Sequence, residues 1–406
     1  MREVMLWAQT RGEAEVFFRF WDLQSPDTVY QTETVRTTDD NYFIAKIKAA
    51  PLEPGRHYGY ALYINGQPVE RPYKLEFQSQ PLWQWRTDPP AFSFAFGSCF
   101  YVNEKKYDRP NNTYGGQFEI MQSILDKDPD FMVWGGDNVY LREADWNSET
   151  GIRHRYTHDR SLPVLQPLLG SVHHYAIWDD HDYGPNDSDA GFWNKNLTEK
   201  AFNLFWANPN TNLTGEGGIT GTFQWADCQF FLLDDRWFRS PDRYEGPDKT
   251  MFGEAQINWL LDALTTSNAP FKFVVTGGQI LNSAAVYETY ATFPEARQKL
   301  LERIRERDIP GVIFLTGDRH HTELSKMERE ETYPLYDLTI SPFTSGTHTL
   351  RDEGNLYQVP GTLVGERNFA ILTVDGPRTA RVLHIHVYGV NGQELWHYEI
   401  PAGSLR

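Results

Sequence analysis

Two cysteines, Cys99 and Cys228, are all that 406 residues contain, so a disulfide framework is ruled out and one optional bridge is the most they allow. Positive charge is scarce. Lys and Arg number 38 against 55 Asp and Glu, a net of −17, and such a chain repels polyanions at long range. No stable nucleic-acid complex is expected, although metal ions at a site would still let the protein handle a phosphate group. No run of 18 apolar residues is present, which excludes a helical transmembrane segment. There is no G-x-S-x-G, so a serine hydrolase is not indicated. The glycine-rich TGEGGITGT at 214–222 lacks the G-K-[ST] of a phosphate-cradling loop. The opening MREVMLWAQT reads as a β-strand rather than an export signal. Internal repeats and low-complexity stretches are also missing.

What is present describes a globular chain: 40% apolar and 23% charged residues. Its length suggests two domains, or one with a sizeable appendage. Over residues 1–80, short apolar or alternating runs recur at 4–10, 15–21, 28–35, 42–48, 58–63 and 73–77. Turn signals such as Pro54-Gly55 and Asn65-Gly66 separate them. The stretch from Leu52 to Tyr60 resembles the corner of a fibronectin-III or immunoglobulin-like sandwich, where a tyrosine hydroxyl ties a loop back to the backbone. PLWQWRTDPP at 81–90 reads as a linker. The expected organisation is therefore a β-sandwich over 1–88 and a second domain over 89–406. In the second domain apolar strands alternate with helices at 117–125, 197–206 and 257–264, and with one opened by a capping box at Thr292–Glu295. A run of strands follows from 335 onward, an α/β arrangement.

Four segments share one design, a strand that runs straight into residues of metal-ligand type. They are Phe94-Ala95-Phe96-Gly97-Ser98-Cys99, the GGDNVY of 135–140, the WDDHD of 178–182 and the GDRHH of 317–321. In α/β sheets the carboxyl ends of strands share one rim, so four sequence-distant clusters can converge there. The inventory is Cys99, Asp137, Tyr140, Asp180, Asp318 and His320. A thiolate, a phenolate and an imidazole suit a borderline or trivalent ion such as iron, whereas carboxylates suit calcium, manganese or magnesium. Gln279, at the end of another strand, is a candidate amide lining the site. Cys228, His173, His174, and the pair His384 and His386 read as structural. His321 is open between substrate contact and support. The Asn186–Gly191 stretch reads as a surface loop.

Together these motifs resemble the calcineurin-like metallophosphoesterases, and within them the PhoD-type alkaline phosphatase/phosphodiesterase branch. The resemblance implies a four-layer α/β/β/α catalytic domain after the sandwich. It also implies a binuclear or larger centre of Fe³⁺ and Ca²⁺, with zinc or manganese as the alternative. Asp137 would bridge the metals; Cys99, Tyr140 and His320 would complete the ferric site; Asp180 and Asp318 would help hold the second ion. His181 is the candidate general acid, Asn138 a candidate phosphate contact and Arg319 a candidate substrate contact. The implied reaction is in-line attack of a metal-bridging hydroxide on a small phosphodiester or phosphomonoester. A phosphotriester or other ester substrate, or a non-catalytic binding protein stabilised by metal, are the alternatives. The family also implies a periplasmic or secreted location. The sequence leaves the oligomeric state and the natural substrate open.

Overall fold

In the computed structural model, which describes residues 1–111, 114–348 and 353–406, the N-terminal strands bury alternate side chains. Leu6 and Ala8 of β1 (Val4–Gln9) and Val16, Phe18 and Phe20 of β2 (Ala14–Asp22) are in the interior. So are Ala45, Ile47 and Ala49 of β5 (Ile44–Ala49) and Tyr58 and Leu62 of β6 (His57–Ile64). This period-two pattern lets one face of each strand contribute to a common core. Strand β1 pairs with β5 alone. A separate antiparallel sheet joins β2 and β6 to β3 (Val29–Gln31), β4 (Val35–Thr37), β7 (Gln67–Val69) and β8 (Glu76–Gln78). The expected single strand at 28–35 is thus two short strands on β2. The expected strand at 42–48 begins only at Ile44, because Tyr42 and Phe43 both adopt left-handed φ after a short 3₁₀ turn. The Tyr58 hydroxyl accepts the Glu53 N–H at 2.8 Å and so closes the corner that the sequence signalled.

The rest of the chain builds two six-stranded sheets. The first has the order β11-β10-β9-β18-β19-β20, from β9 (Phe92–Gly97), β10 (Phe131–Gly135), β11 (His173–Ile177), β18 (Asn368–Asp375), β19 (Val382–Gly389) and β20 (Glu394–Pro401). The second has the order β12-β13-β14-β15-β17-β16. Its strands are β12 (Gly221–Trp225), β13 (Cys228–Leu232), β14 (Lys272–Val275), β15 (Val312–Thr316), β16 (Glu323–Met327) and β17 (Leu335–Thr339). The parallel neighbours β9, β10 and β11, and likewise β13, β14, β15 and β17, send their carboxyl ends to a shared edge. The two sheets stack on aromatic contacts: Phe94 meets Phe230 at 5.1 Å and Phe273 at 5.4 Å, centroid to centroid.

The helices are α1 (Ile120–Leu125), α2 (Glu149–Arg160), α3 (Gln166–Ser171), α4 (Asp180–Tyr183), α5 (Lys195–Phe205), α6 (Glu254–Thr266) and α7 (Pro294–Glu306). In α6 the buried Ile257, Leu260, Leu261 and Leu264 repeat at helical spacing, as expected. The capping box expected at Thr292 is not formed. Phe293 is the cap, Pro294 fills the first turn, and the Thr292 hydroxyl donates to the Thr289 carbonyl in the preceding 3₁₀ turn.

A small core joins the N-terminal unit to the rest. Tyr42 and Ile44 pack with Val139, Leu141, Ile152, Tyr156, Ala201 and Phe205. Hydrogen bonds from Trp7 Nε1 to the Leu204 carbonyl and from the Tyr60 hydroxyl to the Gly170 carbonyl reinforce it. No described helix is long and apolar enough to cross a membrane.

Candidate metal centre

Each strand that carries a motif stops at the shared edge, and after three of the four, β9, β10 and β15, the motif residues take an unusual conformation. Cys99, Asp137, Asp318 and His320 all have φ between 53° and 64°. Non-glycine residues rarely occupy this left-handed region, and such strain collects at functional sites. Gly136 also has positive φ, and a Cβ there would lie 2.7 Å from the Asp179 side chain, so only glycine lets the second motif close on the third.

The six expected ligands come together. Cys99 Sγ is 3.7 Å from Asp137 Oδ2 and 3.6 Å from the Asp318 carbonyl, and accepts from the Ser341 hydroxyl at 3.2 Å. Tyr140 Oη is 3.3 Å from His320 Nε2, and Ser345 Oγ stands between them at 3.3 and 2.9 Å. Asp137 Oδ1 accepts the His181 backbone N–H at 3.1 Å, and Asp180 Oδ2 accepts that of Asp187 at 2.7 Å. Ligand atoms of Asp137, Asp180 and His181 lie within 4.8 Å of one another, which places His181 among the possible metal donors. Asp137, Asp180, His181, Asp318 and His320 line a cavity of about 850 Å³.

This donor set fits cations. Burial first, and then Asp180, Asp182 and Asp318, push the Asp137 carboxyl well above its usual range. Burial, Glu288 and Asp180 carry Asp318 up to about 8. Burial with Asp137 and Asp318 raises the Cys99 thiol, and burial with Asp137 and Cys99 raises the Tyr140 phenol. Burial holds His320 down at about 3, and His181 is also lowered by burial. Nδ1 of both imidazoles is buried with no hydrogen-bond partner. Anionic groups that destabilise one another's charge, beside neutral imidazoles, are what metal ions relieve.

A prediction follows for stability without metal. A carboxyl whose folded pKa is raised binds its proton more tightly when folded. Its contribution is therefore present at low pH and lost as pH rises to the folded value. For Asp182, at about 7, and Asp318, at about 8, that loss starts near the ordinary 3.8 and runs up to the folded values, so it is still under way between pH 6.5 and 8. The buried His174 and His320, both near 3 when folded, have finished their opposite effect by their ordinary 6.5. Metal-stripped protein should melt progressively lower across this window, and metal-loaded protein should not. A flat melting temperature after stripping would contradict the carboxylate cluster.

The other candidates separate. Asn138 is buried away from the cavity. Its Nδ2 donates to the Ile177 carbonyl at 2.7 Å and to Asp182 at 2.9 Å, leaving only Oδ1 without a partner. Asp182 also accepts the N–H groups of Asn138 and Asp179, so it laces the second and third motifs together. Arg319 lines the cavity, reaching Gln279 Oε1 and Glu353, each at 2.6 Å, under the Tyr287 ring. Gln279 is a correction to the sequence reading. It is fully buried behind Arg319 and spends its amide on Arg319, Glu323, Thr339 and Asn282. Asn186 and Asp187, expected in an unrelated surface loop, sit on the cavity rim.

His384 and His386 pair with acidic side chains. Asp375 and Glu399 flank the first and Glu394 the second, all from neighbouring strands. Cys228, His173 and His174 are structural as read.

Two residues had no sequence signal. Arg236, fully buried, donates to both oxygens of Glu288 at 2.7 Å and to Asp179, and so neutralises carboxylates behind the cavity. Glu288 also lines the cavity. Their 52-residue separation in sequence left nothing to connect them.

The family model for PhoD-like phosphatases matches residues 94–360, which hold all four motifs. The chain belongs to the PhoD-like phosphatase family. A curated relative, alkaline phosphatase D of Bacillus subtilis (strain 168), is 20% identical over 338 residues. That match covers 69% of this chain and 54% of the relative, so the chain spans about half the length of that protein. The solved structure of PhoD superposes with a TM-score of 0.78 at 15% identity, covering 100% of this chain and 89% of that one. The purple acid phosphatase PPD1 from yellow lupin (Lupinus luteus) seeds superposes at 0.71 and 13% identity, covering 98% and 72%. These two likenesses establish the mixed α/β, multi-sheet fold of this PhoD-like protein.

Proposed function

We propose that this chain is a metal-dependent phosphoric ester hydrolase that acts on small phosphodiesters, phosphomonoesters or both. The observation that carries the reading is the convergence of Cys99, Asp137, Tyr140, Asp180, Asp318 and His320 from four strand ends onto one rim. Cys99, Tyr140 and His320 would hold iron, Asp180 and Asp318 calcium, and Asp137 would bridge the two, an assignment supported by the thiolate, phenolate and imidazole character of the first three donors and the hardness of the carboxylates. When bound, the metals supply charge neutralisation and lower the pKa of water.

The chain's own residues do the rest. Arg319 faces the cavity with its guanidinium anchored by Gln279 and Glu353, a fixed donor for a phosphate oxygen. His181, packed against Tyr140 with ring centroids 4.3 Å apart, is placed to give a proton to the leaving oxygen. Asn138 and Asp182 hold Asp137 and His181 in register from behind. We read the N-terminal unit, over 1–88, as an immunoglobulin- or fibronectin-III-like sandwich. The closed tyrosine corner and the two sheets around one core support this. A periplasmic or secreted location goes with the family resemblance.

Chelation tests the reading. Treatment with EDTA should abolish hydrolysis of a chromogenic phosphodiester, and re-addition of iron with calcium should restore it. Full activity after verified metal removal would refute it.

A further inference from the structure

A second cavity, of about 1070 Å³, opens between the N-terminal unit and helices α2 and α3, and it shares no lining residue with the metal cavity. Its charge runs against that of the molecule. Arg11, Arg71 and Arg160 line it without an ion-pair partner among the described residues. Its two acidic lining residues, Glu3 and Glu76, are each within ion-pair distance of a lysine. In a chain of net −17, a cleft with surplus arginine is a local reversal of sign.

Arg160 is the distinctive group. Its guanidinium lies over the Trp206 ring at 4.3 Å and over Trp7 at 5.0 Å. Stacking satisfies the faces of the ion but not its in-plane N–H donors, and the buried Nη2 has no hydrogen-bond partner. No carboxylate offsets the cost. Burial alone drags Arg160 down to about 10, and the neighbouring Lys46 is lowered by burial and by Arg160 itself. Lys46 spends its donors on the Asn203 and Trp206 carbonyls, both neutral. Two adjacent, largely buried cations with no anion between them are expensive unless something anionic joins them.

We propose that this cleft is a second ligand site, in which the free guanidinium edge of Arg160 binds a phosphate group. A planar fork with free N–H donors matches a phosphate oxygen pair, and the tryptophan walls shield the contact from water.

The test is calorimetric titration of inorganic phosphate into metal-stripped, full-length protein at fixed ionic strength. Without metal, the acidic cluster of Asp137, Asp180 and Asp318 repels phosphate, so binding reports the cleft alone. Saturable binding is expected, undiminished by Asp137→Asn and weakened about tenfold or more by Arg160→Gln. Arg160→Gln should retain hydrolysis once metal is restored. If Arg160→Gln fails to fold by circular dichroism, Arg71→Gln on the exposed rim replaces it and should weaken binding several-fold. The proposal is overturned if no saturable binding occurs, if a folded Arg160→Gln binds as well as wild type, if Arg71→Gln in its place binds unchanged, or if citrate binds where phosphate does not. None of these outcomes depends on whether the metal cavity hydrolyses esters.

Discussion

Asp137→Asn should cost about three orders of magnitude or more in kcat/KM, because several kcal/mol of metal-derived charge stabilisation depend on one carboxylate. Asp137 is 2% exposed and lies 3.7 Å from the Cys99 thiol. It also accepts the His181 backbone N–H and faces Asp180 and Asp318 across the cavity. The amide keeps the shape and a hydrogen-bond acceptor for His181, so the fold should survive. What it removes is the charge that, on the proposed assignment, both halves of the ligand set would share. Relief of carboxylate repulsion should even raise the melting temperature of the metal-free variant, a readout that separates lost chemistry from lost structure. Retained activity in a folded Asp137→Asn protein would remove this residue from the centre of the site.

His181→Ala should lower turnover by about 10²- to 10⁴-fold on a poor leaving group, the usual worth of a positioned acid. The loss should shrink markedly for a nitrophenyl ester, which departs without protonation. Burial pushes His181 below its ordinary pKa, and its Nε2 lies 3.9 Å from Asp180 Oδ2. The protonated form is therefore lost at a pH below the ordinary histidine value as pH rises. Discrimination between leaving groups should be least at low pH and grow toward high pH. If both ester types lose activity equally and bound metal falls with them, His181 acts as a ligand, the role that its closeness to Asp137 and Asp180 also permits.

Much of the candidate centre was legible because its proposed ligands follow directly on apolar strands. Phe94–Gly97, Phe131–Gly135 and Val312–Thr316 announce themselves by composition, and Cys99, Asp137 and Asp318 stand within three residues of their ends. What lay beyond reach was held by long-range ion pairs. Arg236 and Glu288 lie in loops, and only the folded chain shows that they neutralise each other beside Asp179. Helix α2 was missed for a related reason. Its buried face includes Arg155 and Asp159 beside Ile152 and Tyr156, with Arg155 bound to Asp108 and Asp145. A helix that buries charge pairs carries a weak apolar period, so the pattern that exposed α6 had little to detect in α2. The Gln279 error has the same root. A strand-end amide looks like part of the site's lining in sequence, but here it supports Arg319 from behind.

Elemental analysis of protein purified without added metal, with its visible spectrum, tests the central claim most directly. The account predicts bound iron together with calcium, and a charge-transfer absorption from the Cys99 thiolate and Tyr140 phenolate that disappears in Cys99→Ser with Tyr140→Phe. Protein that hydrolyses phosphate esters at full rate while holding no metal would contradict it.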